Sequence, residues 1–433
     1  MQPVALTGGA ALVALAGVLG ALAFRSVTAL VIIDAVILAG LAADVVAAAS
    51  VRQLQLTRSG DSRLLLGQSG TVLLTISNPG RRALRGVVRD AWPPSMAAAP
   101  RRMRVQVPAG GQLTLATRVT PQRRGDAVAG PVTVRSIGPL GVAARQGSHR
   151  CPRSIRVLPP FLSRRHLPEK LARLRQLDGQ QRSLLPGQGS EFDSLRGYVL
   201  GDDVRSIDWR STARAGDVMV RTWRPERDRR IVIVLDTGRT SAGRVGDVPR
   251  LDASMDAALL LAALASRAGD RIDLLAVDRR VRARVVHVSR SKVLAAITDA
   301  MAVLDAELIE SDAGLMASSV LAIARQRCLV VLLTDLHPAA IEEGLLPGLG
   351  LLTARHRLLV AAVADPRLAQ LAAGRGGSTE VYAAAAAQRA ASERSRVSAV
   401  LRRHGVSVVD APPDRLPSAL ADAYLGLKAA GRL

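Results

Sequence analysis

The sequence predicts a multi-domain protein with an N-terminal transmembrane helical hairpin, a β-sandwich-like region and a C-terminal α/β domain. Three observations support this fold class. Two apolar runs flank Arg25-Ser26 near the N-terminus. Residues 51–158 contain short stretches that alternate apolar and polar side chains, which is typical of half-buried strands. From residue 229 onward, buried-strand and helix patterns alternate, which indicates a mostly parallel sheet covered on both faces. The expected domains are residues 1–50, 51–160, 161–228 and 229–433.

The first part of the chain predicts two membrane spans. Residues 3–24 carry no charge, and 22 helical residues extend about 33 Å, the thickness of a bilayer core. A second apolar run covers residues 27–49. Only Arg25 lies in the turn, whereas three arginines lie within residues 52–63. Because arginine is enriched on the cytoplasmic side, both termini and all soluble domains are expected to be cytoplasmic.

The second predicted span contains an unusual carboxylate, Asp34. A carboxylate inside a bilayer is costly, so Asp34 is expected to be a neutral acid that is hydrogen-bonded inside the hairpin or an oligomer, or a site that faces a partner. Ala35, Ala39 and Ala43 form a small-residue stripe that suits close helix packing. Asp44 lies near the membrane interface and needs no special role there.

Composition narrows the possible partners. The 433 residues carry a formal net charge of +23, which favours acidic lipid or an acidic protein. Aromatic residues make up only 2% of the chain, which argues against the stacking surfaces used to bind single-stranded nucleic acid. The arginines are also spread along the sequence, so nucleic acid is not an expected partner.

Two segments lie between the membrane hairpin and the α/β domain. The pattern of residues 51–160 predicts an antiparallel sandwich, in which Trp92 is expected to anchor the core or a turn. The pattern of residues 164–183 predicts a polar, basic helix, which we expect to be a solvated connector or to lie on an acidic surface.

The most informative segment is residues 189–224, where acidic, basic and aromatic side chains alternate closely. Each charge in such a pattern needs a partner, which indicates a network of ion pairs and hydrogen bonds. The residues of this signature are Gly189, Glu191, Phe192, Arg196, Tyr198, Gly201, Asp202, Asp203, Arg205, Ile207, Asp208 and Trp209. The segment can be a rigid support for the next domain, a docking surface for a partner, or an acid–base site.

This signature resembles that of the bacterial domain-of-unknown-function 58 family. The resemblance implies two N-terminal spans, a strand-rich region and a von Willebrand factor A-like domain of Rossmann-like α/β architecture. It also implies a protein of the bacterial plasma membrane that works with a MoxR-type AAA+ ATPase.

The α/β domain places two carboxylates at the carboxyl ends of buried strands, where ligands bind in such sheets: Asp236 and Asp335. The von Willebrand A resemblance implies a metal site formed by Asp236, Thr240, Ser311 and Asp335. Gly238 stands where the family has a serine, Ser311 replaces a threonine, and Arg239 adds a positive charge. These departures leave two possibilities: weak Mg²⁺ binding, or a metal-free site in which Arg239 supplies the cation.

No phosphate-binding loop, zinc-protease motif or nucleophile elbow occurs in the sequence, so no cofactor is expected beyond weakly bound Mg²⁺. The function we expect is therefore that of a membrane-anchored cytoplasmic adaptor rather than an enzyme. The alternative is a metal-dependent hydrolase that uses Asp236 and Asp335.

Overall fold

The computed structural model describes residues 4–24, 26–184, 191–224 and 229–433. The chain divides into two compact units, Met1–Pro160 and Phe161–Leu433. Each unit has its own hydrophobic core.

The N-terminal hairpin is shorter than the sequence predicts on its first side. Strand β1 (Val4–Leu6) precedes helix α1 (Gly8–Phe24), which is followed by helix α2 (Val27–Ala47). The 17 residues of α1 extend about 26 Å, less than a bilayer core. Among the described residues, one helical stretch is long and apolar enough to cross a membrane, Val27–Gln53.

The two helices pack through glycines of α1 rather than through the alanine stripe. A Cβ atom on Gly17 would lie 2.6 Å from Ile37 Cδ1, so the backbone of α1 closely approaches that side chain. Ala35, Ala39 and Ala43 are exposed, as is Asp34, so neither the expected packing stripe nor a hairpin-bound acid is present. Ile33 and Ile37 therefore lie on the face of α2 that meets α1.

Asp44 has a structural role that the sequence did not reveal. Its carboxylate is fully buried at the end of α2. It accepts hydrogen bonds from the backbone N–H groups of Leu140 (2.7 Å), Val142 (2.9 Å) and Ala143 (2.7 Å). Helix α2 is therefore fixed to the turn that precedes a strand of the sandwich.

The structure confirms that the second region is rich in strands, although one pair, Arg63–Leu65 with Ser154–Leu158, is parallel rather than antiparallel. The strands of this region are β2 (Gln55–Gly60), β3 (Arg63–Leu65), β4 (Gly70–Ser77), β5 (Leu84–Arg89), β6 (Arg102–Val107), β7 (Gln112–Val119), β8 (Gly125–Val128), β9 (Val132–Ile137), β10 (Ala143–His149) and β11 (Ser154–Leu158). They form sheets of order β1-β10-β9-β5-β6, β2-β4-β7 and β3-β11-β8. Alternate side chains of the first two sheets, such as Leu74, Ile76, Val88 and Val134, share one core.

A buried ion pair lies inside this sandwich. Arg58 and Asp90 side chains are completely buried and joined at 2.6 Å. Asp90 also accepts hydrogen bonds from Trp92 Nε1 (3.1 Å) and Thr117 Oγ1 (3.3 Å). Trp92 is thus held at the core by its indole N–H.

The second unit begins with a 3-10 helix (Leu162–His166) that leads into helix α3 (Leu167–Leu184). The signature hairpin follows, with β12 (Glu191–Gly197), α4 (Trp209–Ala215) and β13 (Met219–Arg224). The α/β fold then has strands β14 (Arg230–Asp236), β17 (Arg271–Val277), β18 (Val281–Val285), β19 (Leu329–Leu333), β20 (Arg357–Val363) and β21 (Ser407–Ala411), with a small β15–β16 hairpin (Arg244–Val245, Val248–Pro249). The sheet order is β18-β17-β14-β19-β20-β21, and only the edge strand β18 pairs antiparallel. Buried strands of Val, Ile, Leu and Ala produce this arrangement.

Helices cover both faces of this sheet. They are α5 (Arg239–Ala242), α6 (Arg250–Arg267), α7 (Arg290–Ala302), α8 (Ala313–Ile323), α9 (Leu346–Arg355), α10 (Pro366–Ala372), α11 (Ser378–Arg403) and α12 (Leu416–Ala429). A π-helical turn, Ala340–Leu345, leads into α9. Two separate clusters of buried side chains, one on each side of the sheet, form the core.

Helix α3 is not the solvated connector that we expected. Leu174 is 3% exposed and belongs to the main core cluster, and Leu167 and Leu171 pack against the same cluster. The nearly buried Lys170 forms an ion pair with Asp422 of α12 at 2.9 Å. The apolar face of α3 is formed by its leucines. The arginines between them in sequence made the segment look uniformly polar.

Candidate functional site

The carboxyl edge of the parallel sheet carries the main polar site. Strand β14 ends at Asp236, and its neighbour β19 is followed by Thr334 and Asp335. A cavity of about 510 Å³ opens beside these residues. Its walls include Arg250, Ser311, Met316 and the π-helical turn, a type of turn that is frequent at functional sites.

Asp236 is 4% exposed and accepts four hydrogen bonds. The donors are the Gly238 N–H (2.9 Å), Thr240 Oγ1 (3.1 Å), Thr334 Oγ1 (2.6 Å) and the Ser311 hydroxyl. The structure therefore brings all four residues proposed from the sequence to the walls of one cavity, with Thr240 and Ser311 bonded directly to Asp236. The hydroxyl groups of Thr240, Ser311 and Thr334 all donate to this carboxylate.

Asp335, the fourth residue, is held by two arginines that the sequence did not reveal. Arg250 Nη1 donates to Asp335 Oδ2 at 2.9 Å, and Arg394 Nη1 donates to Asp335 Oδ1 at 2.6 Å. Arg394 also pairs with Asp410 at 2.7 Å. Burial alone would lower the pKa of Arg394, but the carboxylates of Asp410 and Asp335 outweigh it and raise that pKa.

In the metal-free alternative, Arg239 was expected to neutralise the carboxylates of this site, but other arginines do so. Arg239 is largely exposed and donates to the exposed Glu310 at 3.0 Å. Arg250 and Arg394 instead neutralise Asp335. They lie 85 and 59 residues from Asp335 in sequence, so no local motif could indicate the contact.

Position 238 shows why this loop has a glycine. A Cβ atom there would lie 2.1 Å from Ser311 Oγ and 2.8 Å from the Ile309 carbonyl oxygen. The hydroxyl of Ser311 thus occupies the space into which a side chain at position 238 would extend. With both Asp335 oxygens bonded to guanidinium groups and the hydroxyls turned toward Asp236, the residues fit a divalent cation poorly.

The signature segment forms an antiparallel hairpin, β12–β13, with α4 between its strands. Arg196 and Asp202 make a bidentate pair at 2.8 and 2.6 Å, and Asp202 also accepts the Val199 N–H. The hydrogen bond from Arg196 is the main reason that the pKa of Asp202 is lowered. Gly201 has φ +108, a backbone conformation that favours glycine, at the turn between them.

Two further acids of the signature cap short helical segments, Asp203 the 3-10 turn Val204–Ser206 and Asp208 the helix α4. Asp208 begins α4 by accepting the Ser211 N–H at 2.9 Å and forms an ion pair with Arg221 at 2.7 Å. These two interactions, the backbone bond first, lower the pKa of Asp208. Asp203 accepts the N–H of Arg205, whose side chain is exposed, at 2.9 Å. The predicted network therefore exists, although Arg205 contributes its backbone.

Several large apolar side chains of this segment are exposed, whereas Ile207 is partly buried. Leu200 is 96% exposed, Trp209 68%, and Tyr198 39%. Gly189 lies outside the described residues, and Glu191 and Phe192 are placed by their backbone pairing in β12.

The comparisons with known proteins agree with the resemblance seen in the signature. Residues 194–405 match the model of the family described as "Protein of unknown function DUF58". An uncharacterized protein of Mycobacterium tuberculosis and one of Mycobacterium bovis are each 30% identical over 206 residues. That alignment covers 45% of this chain and 61% of each relative, so the chain spans less than two thirds of their length.

The solved structures that resemble parts of the chain do so weakly. The CARDB domain of a Pyrococcus furiosus protein is 13% identical, with 24% of this chain and 91% of that chain covered and a TM-score of 0.19. Proximal thread matrix protein 1 from the mussel byssus is 13% identical, with 47% of each chain covered and a TM-score of 0.26.

Proposed function

We propose that this protein is a membrane-anchored cytoplasmic adaptor that docks a protein partner on its signature hairpin. The observation that carries this proposal is the exposure of apolar side chains within residues 198–209. Tyr198, Val199, Leu200, Val204 and Trp209 are between 39% and 96% exposed. The surfaces of soluble proteins rarely carry clusters of large apolar side chains, and where such clusters occur they are commonly interaction sites.

The hairpin presents these side chains on a rigid support. The Arg196–Asp202 and Asp208–Arg221 pairs lie within the segment and fix its turns. A preorganised loop loses less conformational entropy when it binds, so more of the contact energy contributes to affinity. Trp, Tyr and Arg are also the residue types that dominate binding energy at protein interfaces.

The partner in this proposal is a MoxR-type AAA+ ATPase, the class implied by the family resemblance. The cavity beside Asp335 offers a second contact point, since Met316 and Ile341 give it an apolar wall and Arg250 a charged one. Saturation of Asp236 and Asp335 by protein donors favours a binding role for this edge over hydrolysis.

The anchor is helix α2, with α1 packed beside it. We place the hairpin in the bacterial plasma membrane with both ends on the cytoplasmic side, because the arginine excess follows α2. Although α1 is short, its exposed leucines and valines make it compatible with the same apolar environment.

A binding measurement tests the proposal. The full chain in detergent is titrated with a purified MoxR-type ATPase encoded in the same genome, and the double variant Leu200→Ser/Trp209→Ala is compared with it. The matched control is Leu308→Ser/Tyr382→Ala, which removes two side chains of similar exposure elsewhere in the same unit. We expect at least about a thirtyfold loss of affinity in the first variant, since hot-spot residues each contribute about 1–2 kcal/mol or more.

Two results would count against the proposal. If the ATPase does not bind the unmodified chain, the proposed partner is wrong. If it binds both variants equally, the signature hairpin is not the docking surface.

A further inference from the structure

One outer face of the sandwich carries a concentrated positive charge. Five exposed arginines lie on the solvent side of the β5, β6 and β9 strands of the five-stranded sheet, and we call them the arginine face: Arg85, Arg89, Arg102, Arg104 and Arg135. The side chains between them in sequence, such as Val88, Val105 and Val134, point into the core.

The strand register brings these charges together. Arg89 lies directly opposite Arg102, and Val87 lies between Arg104 on one side and Arg135 on the other. Like charges directly opposite on neighbouring strands destabilise a sheet. The face therefore carries an electrostatic cost in the isolated molecule, which an anionic ligand would relieve.

The surrounding residues do not offset this charge. Residues 81–107 and 131–150 contain a single acid, Asp90, which is buried against Arg58. Within the described part of the chain, Arg85, Arg89, Arg102 and Arg104 form no ion pair. Arg135 donates to the neutral side chain of Gln146, at 3.1 and 2.8 Å.

The arginine content of the whole chain does not explain this face. The opposite outer face of the same sandwich, on β2, β4 and β7, is lined mainly by hydroxyl and amide groups, including Thr57, Thr71, Thr75 and Thr114. One arginine, Arg118, lies on those strands among the outward residues. A bias toward arginine codons would supply both faces alike, so the difference is specific to position.

The arginine face lies on the strands that are joined to the candidate membrane helix. Asp44 at the end of α2 binds the β9–β10 turn. Arg82, just before β5, donates to the carbonyl of Val46 in the last turn of α2. Strand β5 therefore starts, and strand β9 ends, beside the C-terminal end of α2. Arg85 is the second residue of β5.

We propose that the arginine face binds anionic lipid headgroups of the membrane in which α2 is anchored. This inference rests on the membrane anchoring in the proposed function. It adds a specific orientation, in which the five-stranded sheet is drawn to the lipid surface and the threonine-lined sheet is turned away. Positive charges near a membrane surface are attracted to anionic lipid, with an effect of about fivefold in binding for each arginine.

The experiment uses the full chain in lipid nanodiscs made of phosphatidylcholine alone or with phosphatidylglycerol. A donor dye is attached to Ser148→Cys, which lies on the same outer face, since the two native cysteines are buried. Energy transfer to an acceptor on lipid headgroups then measures how close the face lies to the bilayer. The test variant is R85Q/R89Q/R102Q/R104Q, and the control R325Q/R327Q/R402Q/R403Q removes the same charge from exposed positions of the other unit.

We expect higher transfer in anionic than in neutral nanodiscs for the unmodified chain and for the control. The test variant should lose the difference, because four arginines together contribute on the order of several hundred-fold. Raising the salt from about 0.1 M to 1 M shortens the Debye length from about 10 Å to 3 Å and should also abolish it.

The outcomes are separable. A chain that enters nanodiscs but shows equal transfer in both lipids overturns the lipid assignment and leaves the anchor intact. The lipid assignment is also overturned if an acidic protein, but not anionic lipid, binds the unmodified chain and fails to bind the test variant. A chain that does not enter nanodiscs overturns the anchor and this inference together.

Discussion

Gly238→Ser is a direct test of the geometry at the carboxyl edge of the sheet. On resemblance alone, adding this serine should restore a missing metal-site hydroxyl and strengthen Mg²⁺ binding. The structure predicts the opposite, because the new Cβ would lie 2.1 Å from Ser311 Oγ, 2.8 Å from the Ile309 carbonyl oxygen and 3.2 Å from Asp236 Oδ1. Ser311 would have to rotate away, and Asp236 would lose one of its four donors.

The magnitude follows from these two effects. Inserting a group into a packed site costs roughly 1–3 kcal/mol. Losing a hydrogen bond to a charged acceptor costs a further 1.5 kcal/mol or so. We therefore expect Gly238→Ser to reduce the free energy of unfolding of the α/β unit by about 3 kcal/mol, and Gly238→Ala to cause a similar loss.

The assay must report on one unit of a two-unit chain, because an unfolding transition of the whole chain would combine the stabilities of both units. Amide exchange in increasing urea, read for the peptide that contains β14, meets this need. The double variant Gly238→Ser/Ser311→Gly removes the clash with the Ser311 hydroxyl but keeps the close approach to the Ile309 carbonyl, so it should recover part of the lost stability. If Gly238→Ser is as stable as the unmodified chain and binds Mg²⁺ more tightly by calorimetry, the steric reasoning is wrong.

Three further predictions concern the other parts of the molecule. Replacing Arg58 by Met should destabilise the sandwich by about 3–5 kcal/mol in urea, because Asp90 would remain buried and unpaired, whereas Arg156→Met breaks an exposed pair and should cost under about 1 kcal/mol; equal losses would contradict this. Burial raises the pKa of Asp256 above 3.8, so its contribution to stability is complete below 3.8 and is lost as the pH rises through the raised value. The loss of unfolding free energy caused by Asp256→Asn should therefore grow as the pH falls from neutral. If this loss does not depend on pH, burial does not raise the pKa of Asp256. A reporter fused after Leu433 should be active only in the cytoplasm, and activity on the outer side would refute the topology.

The sequence predicted those features that depend on periodicity and strand ends. Buried strands such as β14 and β19 are continuous runs of Val, Ile and Leu, and Asp236 and Asp335 follow from their ends. The docking of α3 was missed because its leucines are separated by arginine and glutamine, which lower the apparent apolar character. Arg394 and Asp44 were missed because their partners are 59 and more than 90 residues away.

The register of the sandwich was also beyond sequence reasoning. Alternation shows which residues share a face of one strand, but the pairing of Arg89 with Arg102 depends on which strands are neighbours and how they are aligned. The net charge was therefore enough to predict an anionic partner, whereas the arginine face could be recognised only after the order of the strands in the sheet was known.

The ion pair between Lys170 and Asp422 has a consequence for synthesis of the chain. It joins the first and last helices of the α/β unit across 252 residues. At about 5–20 residues per second, α3 is made roughly 10–50 s before its partner helix exists. During that interval Leu174 has no complete surface to pack against, so the leucine side of α3 is an exposed apolar segment on the nascent chain. Loss of the last helix, by an early stop or by proteolysis, would remove Asp422 from Lys170 and would leave the leucine side of α3 incompletely covered.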